Sequence, residues 1–219
     1  MTEIMAGAGE VRLSVEQAIR GRRSVRRYLR DRVPDEDVWA VLDAARWAPS
    51  PHNSAPWRFV VLADHDTKAR LAQAMGERWR ADLSRDALAP EVIEDELRKS
   101  ARRITGAPAA VVVCLTREGL DDYPDPARQQ AELMMGAHSV GAAVQNMMLE
   151  AHGRGLATGW MCAPLFCPDV VVNALGLPAD WTAQGLITLG YPAISPEAPS
   201  RGPLEDLVLT RTADSLPRL

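Results

Sequence analysis

A long helical segment without a polar face constrains this chain more than any other feature. Residues 130–152 carry small or apolar side chains nearly all round a helix: Met134, Met135, Ala137, Val140, Ala142, Ala143, Val144, Met147, Met148 and Leu149. A helix of this kind has to be buried on every side. We therefore expect it at the centre of the core or at a subunit interface, where Gly136 and Gly141 would let another helix approach closely.

Around this helix, apolar periodicity predicts alternating helices and strands. Residues 109–115 form a continuous apolar run, which is typical of a strand covered on both faces. Further strands are predicted at residues 57–62, 156–161, 185–192 and 204–210, and further helices at residues 13–19, 35–48, 66–83, 90–104 and 168–175. Helices and strands interleave throughout, which predicts one α/β or α+β domain.

Length and composition limit the classes of protein to which this chain can belong. The chain has 219 residues, 47% of them apolar, so it can bury a substantial core. Its longest uncharged stretch, residues 133–149, is too short and too polar for a membrane-spanning helix, and residues 1–10 lack the apolar segment of a signal peptide. We expect a cytoplasmic protein with no membrane partner, and one domain at residues 13–219 after a tail at 1–12 that need not be ordered.

The three cysteines, Cys114, Cys162 and Cys167, have neither a paired spacing nor a histidine partner. This argues against a disulfide framework and against a zinc site. His138 and His152 on the long helix lack a metal-binding partner four residues further along, so a hydrogen-bonded helix histidine is the commoner role for each. We predict no metal.

A basic cluster stands out because the formal net charge of the chain is −4. Residues 20–32 contain seven arginines, and the densest part, residues 22–26, follows a helix that Gly21 is suited to end. Guanidinium groups around a serine hydroxyl suit a phosphate, which accepts several charge-assisted hydrogen bonds at once. The cluster indicates a small phosphorylated ligand, with a solvated basic segment and a nucleic-acid arm as alternatives.

Five motifs in chain order resemble the nitroreductase family of FMN enzymes, over residues 15–208. They are Arg22-Arg23-Ser24-Val25-Arg26-Arg27-Tyr28, Ala48-Pro49-Ser50-Pro51-His52-Asn53-Ser54-Ala55-Pro56-Trp57, Gly155-Leu156-Ala157-Thr158-Gly159-Trp160, Leu189-Gly190-Tyr191-Pro192 and Ser200-Arg201-Gly202-Pro203-Leu204-Glu205. The resemblance implies an α+β fold with a central mixed sheet flanked by helices. It also implies a homodimer with an extended interface and two FMN sites, and no nucleic-acid partner.

The resemblance also implies cofactor-binding residues, position by position. The phosphate and ribityl side of FMN would be held by Arg22, Arg23, Ser24 and Arg26, with Arg201 completing the phosphate clamp. A loop from the partner subunit would meet the isoalloxazine through Pro49, Ser50, Pro51 and Asn53. Backbone amides near flavin N5 and O4 would come from Cys162 and Ala163. The flavin would carry the chemistry, so no catalytic side chain is predicted.

Several stretches resemble more narrowly the C-terminal, nitroreductase-like domain of FbiB, a two-domain protein of coenzyme F420 biosynthesis. They are residues 48–52, 78–83, 123–128, 140–145 and 177–181. The resemblance implies that FMN-dependent reduction of the enolpyruvyl double bond of dehydro-F420-0 is the activity, in a stand-alone version without the ligase domain. Ala55, where many nitroreductases carry glutamine, argues against a generic nitroaromatic acceptor, as does Cys162-Ala163 in place of their Glu-Gly pair.

Other functions stay open. A broad-specificity NAD(P)H-dependent nitro or quinone reductase is the first alternative, and a flavin-binding module without turnover is the second. No Gly-x-Gly-x-x-Gly follows a strand, so NAD(P)H would use the same face as the electron acceptor. The candidate substrate contacts are His52, Arg78 and Trp79, whose ordinary alternatives are a loop hydrogen bond, a solvated helix charge and helix packing.

Overall fold

The structure is a computed structural model that describes residues 13–209. The α-helices are α1 (Val15–Gly21), α2 (Asp35–Ala45), α3 (His65–Arg85), α4 (Pro90–Thr105), α5 (Pro126–Gly153) and α6 (Pro168–Leu175). The strands are β1 (Trp57–Leu62), β2 (Ala109–Leu115), β3 (Ala157–Met161) and β4 (Thr182–Gly190). Short 3-10 helices cover Pro51–Asn53, Ala163–Phe166 and Leu204–Leu207.

The four strands form one sheet in the order β1-β2-β4-β3, and every neighbouring pair is antiparallel. The predicted α+β class is confirmed, but the prediction of a mixed sheet is wrong for these strands. Two helices, α3 and α4, connect β1 to β2, so the chain re-enters the sheet in the opposite direction. The connection through α5 leaves β2 and β3 parallel to each other. They are not neighbours, however, because β4 lies between them.

The core lies on both faces of β2, as its continuous apolar sequence predicts. All seven residues of β2 are buried. Val111 and Val113 belong to a cluster with α2 and α5, whereas Val112 and Cys114 belong to a cluster with α3 and α6. Alternate side chains of a strand point to opposite faces, so one apolar strand supplies both layers.

The helix α5 begins with a proline at its first turn and an Asp125 side chain that accepts a hydrogen bond from the Arg128 N–H at 3.0 Å. One face of α5 is buried against the sheet, but Met134 and Met135 on the opposite face are 52% and 39% exposed. The expectation of burial on every side is therefore not met within one protomer. The helix leaves an exposed apolar face.

The C-terminal segment differs from its prediction as a strand over residues 204–210. Leu204–Leu207 form a 3-10 helix, with Pro203 at the N-cap position and Glu205 and Asp206 in the first turn. Proline and acidic residues favour a helix start, and they outweigh the apolar pattern here. Residue 210 and the tail predicted at residues 1–12 lie outside the described residues. Within residues 13–209, no helix is long and apolar enough to cross a membrane.

Candidate functional site

The site is built where α1 ends. Ser14 and Gln17 start this helix with a reciprocal pair of hydrogen bonds, a capping box, and the helix ends at Gly21 with Arg22 as its C-cap. A Cβ on Gly21 would lie 2.6 Å from Nε2 of His152, near the end of α5. A side chain at residue 21 would therefore displace the His152 ring, which glycine leaves in place.

After the turn, the chain runs along the free edge of β3. The Val25 N–H donates to the Thr158 carbonyl oxygen at 2.9 Å, and Ser24 forms an isolated parallel bridge with Thr158. The Tyr28 hydroxyl donates to the Val25 carbonyl at 2.8 Å and shares a hydrogen bond of 2.7 Å with Thr188 Oγ1. Burial raises the pKa of Tyr28 to about 12, so it stays a neutral donor that fixes this backbone.

A cavity of about 270 Å³ opens between the arginine turn and the end of α5. Its lining includes Arg22, Arg23, His152, Thr158 and Ser195. Arg23 is fixed because its Nη1 donates to the carbonyl oxygens of Arg20 (2.7 Å) and Arg22 (2.9 Å). The sequence predicts Arg22 and Arg23 as ligand-binding residues, and the structure brings both to this cavity.

Two residues that line this cavity each have a buried polar side-chain atom with no hydrogen-bond partner within residues 13–209. The atoms are Nε of Arg22, which can only donate, and Oγ1 of Thr158, which can donate or accept. A buried donor without a partner costs roughly 1–3 kcal/mol, and more when its group is charged. The donors and the positive charge therefore fit an anionic ligand with several acceptor oxygens.

The pKa of His152 reflects the same positive charge at the cavity. Burial lowers the pKa of His152 below its ordinary value of 6.5, and the charges of Arg22 and Arg23 lower it further. His152 is therefore neutral at pH 7, and its ring can share the cavity with two guanidinium groups. An anion bound to these arginines would oppose the effect of their charge on His152.

This shift in pKa predicts a loss of stability in acid. As pH falls below about 6.5, His152 binds a proton in the unfolded chain but not yet in the folded protein, where its pKa is lower. The free energy of unfolding therefore decreases until the pH also passes the pKa of His152 in the folded protein. We expect the difference in unfolding free energy between pH 7.5 and pH 5 to be smaller in His152→Gln than in the wild-type protein. Urea unfolding at the two pH values measures it, and equal differences would contradict the prediction.

The second part of the site lies at the other end of β3. Cys162 follows this strand directly and Ala163 begins the 3-10 helix Ala163–Phe166. Cys162 lies four residues beyond Thr158, a distance of ~13 Å along an extended strand. The edge of β3 thus links the arginine cavity to the two residues predicted at the flavin ring, and the arrangement suits an elongated ligand with an anionic end.

The loop with Pro49, Ser50, Pro51 and Asn53 is not brought to this edge. It precedes β1, which lies three strand spacings from β3, or about 14 Å across the sheet. Because β1 starts and β3 ends at the same end of the sheet, the loop and Cys162 share that end but not an edge. One protomer therefore does not close both groups around one ligand.

The remaining predicted residues are more exposed. Ser24 and Arg26 lie on the exposed side of the arginine turn, and Arg201 is exposed and is not among the cavity-lining residues. Arg78 Nη2 lies 2.6 Å from Asp169 Oδ2, and this hydrogen bond lowers the pKa of Asp169. Trp79 is 36% exposed on α3. Arg78 is thus already paired with Asp169 of the same protomer.

Sequence reasoning missed His152 and Thr158 as parts of the site. His152 lies far from the arginines in sequence, and only the length of α5 brings its C-terminal end to Gly21. Thr158 falls inside a motif that the sequence does single out, residues 155–160, although nothing there signals an unpaired hydroxyl. Within residues 13–209, no three histidine, cysteine or acidic side chains are grouped so that they could hold a metal ion.

The fold is an antiparallel sheet flanked by helices, with a cationic cavity at its edge, and comparison with known proteins gives its family. The family model of the nitroreductase family matches residues 19–191. The chain therefore belongs to the nitroreductase family.

Similar proteins cover most of the chain. NADH dehydrogenase of Thermus thermophilus is 33% identical over 214 residues, which are 91% of this chain and 97% of that protein. The 5,6-dimethylbenzimidazole synthase of Rhodospirillum rubrum is 31% identical over 175 residues, 78% of each chain. A crystal structure of a Desulfovibrio desulfuricans nitroreductase in complex with FMN has a TM-score of 0.70 at 32% identity, covering 91% of this chain and 98% of that one.

Proposed function

We propose that this protein is an FMN-dependent oxidoreductase whose arginine turn holds the flavin phosphate. The observation that carries the proposal is Arg22, which lines the cavity together with Arg23 and Thr158 and whose buried Nε has no hydrogen-bond partner among the described residues. Family membership and the FMN complex of the D. desulfuricans relative support the choice of FMN among anionic ligands.

The residues around the cavity fit this cofactor. Arg22 and Arg23 would bind its phosphate, Ser24 and Arg26 its ribityl side, and Arg201 would complete the clamp from the C-terminal segment. Cys162 and Ala163 would offer their backbone amides to the ring. When bound, FMN supplies hydride transfer, and the protein contributes binding and orientation.

The proposed site needs a second copy of the chain. The loop with Pro49, Ser50, Pro51 and Asn53 precedes β1, which lies about 14 Å across the sheet from β3 within one protomer, so the partner copy would supply the loop. The exposed face of α5, with Met134 and Met135, supports the same proposal, because exposed apolar helix faces are typical of subunit interfaces. We therefore propose a homodimer.

We further propose NAD(P)H as the reductant, and the cytoplasm as the location. Support comes from the relative in T. thermophilus named NADH dehydrogenase and from a Bacillus subtilis relative, 26% identical, named for NAD(P)H nitroreductase. The three cysteines are free thiols, which suits a reducing compartment.

For the electron acceptor, we propose the enolpyruvyl double bond of dehydro-F420-0, a deazaflavin intermediate. Support comes from the FbiB-like stretches and from Ala55 in place of glutamine. The substrate contacts would be His52, Arg78 and Trp79, of which His52 is exposed on the loop that the partner would bring to the flavin. The names of the relatives favour a second candidate, a broad nitro or quinone reductase.

Purified protein reconstituted with FMN and given NADH or NADPH tests these proposals in order. A yellow protein that consumes NAD(P)H only when an acceptor is added would support the oxidoreductase, and a colourless protein that ignores FMN in titration would overturn it. Dehydro-F420-0 and a nitroaromatic compound, compared by kcat/KM, separate the two acceptor classes. A higher value for the nitroaromatic compound would overturn the deazaflavin proposal alone.

A further inference from the structure

The loop at residues 49–55 has a strained backbone. His52, Asn53 and Ala55 have φ angles of 53°, 54° and 47°, in the left-handed region that non-glycine residues seldom adopt. This conformation is unfavourable for a residue with a side chain, and it persists only where surrounding contacts fix it. The contacts that fix this loop therefore control how it is presented to a ligand.

Besides hydrogen bonds within the loop, such as that from the Ala55 N–H to Ser50 Oγ at 3.0 Å, contacts come from a second loop, residues 116–125 between β2 and α5. Nε2 of His52 lies 3.7 Å from Oδ2 of Asp121. Gly119, with φ of +78°, packs so tightly on Ser54 that a Cβ would lie 3.3 Å from the Ser54 side chain. The loop at residues 49–55 thus packs against the loop at residues 116–125, in which Asp121 is the residue that faces His52.

The helix α5 in turn holds the second loop through two side-chain acceptors, one buried and one half-buried. Oε1 of Glu132 accepts a hydrogen bond from the Asp121 N–H at 3.3 Å, and Oε1 of Gln129 accepts one from the Tyr123 N–H at 2.9 Å. The two side chains lie one turn apart on α5. A chain of contacts therefore runs from Glu132 through Asp121 to His52.

Glu132 is an unusual residue for this place. It is 1% exposed, and its second carboxylate oxygen is buried with no partner within residues 13–209. A buried acid without a cation is costly, and an apolar side chain is the ordinary occupant of such a position. Packing alone does not explain a glutamate here, whereas the hydrogen bond to the Asp121 N–H gives its carboxylate a structural role.

We infer that Glu132 is a positioning residue for the oxidoreductase reaction, and this inference rests on the proposed function. Its hydrogen bond holds the Asp121 backbone so that the Asp121 carboxylate faces His52. His52 is thereby kept in its left-handed conformation as a substrate contact. Glu132 touches neither cofactor nor substrate in this scheme and acts through the two loops.

The test uses the FMN-loaded enzyme and compares Glu132→Met with Glu132→Gln. Methionine removes the acceptor, whereas glutamine keeps a carbonyl oxygen for the Asp121 N–H. We expect Glu132→Met to raise KM for the electron acceptor about tenfold, the effect of one lost hydrogen bond, with kcat within twofold of the wild-type value. We expect Glu132→Gln to restore KM to within twofold.

A double-mutant cycle with His52→Ala distinguishes positioning from general damage. If Glu132 acts through His52, the change in KM caused by Glu132→Met should disappear in the His52→Ala background. Asp121→Ala breaks the same chain at an exposed residue and should raise KM to a similar extent. Asp122→Ala is its matched control, because Asp122 is the adjacent carboxylate and pairs with Arg117 at 3.0 Å instead.

The outcomes separate the two proposals. Protein that binds no flavin would overturn the proposed function itself. Flavin-loaded, active enzyme in which Glu132→Met leaves KM unchanged, or raises it equally with and without His52, would overturn only the role of Glu132. If Glu132→Met does not fold, Asp121→Ala decides, and a KM no different from that of Asp122→Ala would overturn the inference.

Discussion

Arg22→Ala is expected to weaken FMN binding about 10- to 100-fold, as measured by fluorescence titration of the flavin-free protein. A charge-assisted hydrogen bond contributes roughly 1.5–3 kcal/mol, and tenfold in affinity corresponds to about 1.4 kcal/mol. Arg22 can offer such a bond because its buried Nε has no other partner within residues 13–209. The variant should fold normally, since the side chain makes no hydrogen bond to the described residues that it would lose.

Arg20→Ala is the matched control for this prediction. It removes the same charge from the same turn, but Arg20 is well exposed and pairs with Glu16 at 2.9 Å. The exposed charge of Arg20 is screened by solvent and paired, so it contributes little free energy to ligand binding. We therefore expect the FMN affinity of Arg20→Ala to change less than threefold. Equal losses in the two variants would mean that the cluster acts only through its net charge, and unchanged affinity in Arg22→Ala would contradict the assignment of the phosphate site.

The position of the arginine turn at the end of a helix could be predicted because it depends on local sequence. Guanidinium groups around a serine hydroxyl favour an anionic ligand, which is why the sequence singles out these residues. The same holds for β2, whose seven apolar residues require cover on both faces. Features that depend on the residue types at a few neighbouring positions can therefore be predicted from the sequence.

The direction of the strands could not be predicted, because it depends on how the chain returns to the sheet. Alternating helices and strands favour parallel neighbours, yet the paired helices α3 and α4 and the insertion of β4 leave only antiparallel neighbours. His152 and Thr158 were missed for the same reason. Their roles arise from contacts across more than 100 residues, which bring the end of α5 and the edge of β3 to the arginine turn.

The exposed face of α5 carries the other large predicted effect, that of Gly141→Leu on the dimer. A Cβ at Gly141 would meet no atom of a neighbouring element within 4 Å among residues 13–209, so a larger side chain has room there and the fold should tolerate it. Across a close helix–helix contact, the added side chain would cost about 1–3 kcal/mol through overpacking. A two-fold interface presents the substitution twice, which predicts a loss of about 2–6 kcal/mol in dimer stability.

Gly141→Ala provides the size control for this prediction. Alanine adds one methyl group and favours a helix by about 1 kcal/mol over glycine, so this variant should remain dimeric and unfold at an equal or higher temperature. Sedimentation velocity and the flavin content of each variant measure the effect. Because the partner would supply the loop at residues 49–53, Gly141→Leu should lose flavin together with the dimer, while a flavin-loaded dimer of this variant would show that α5 does not meet its partner at Gly141.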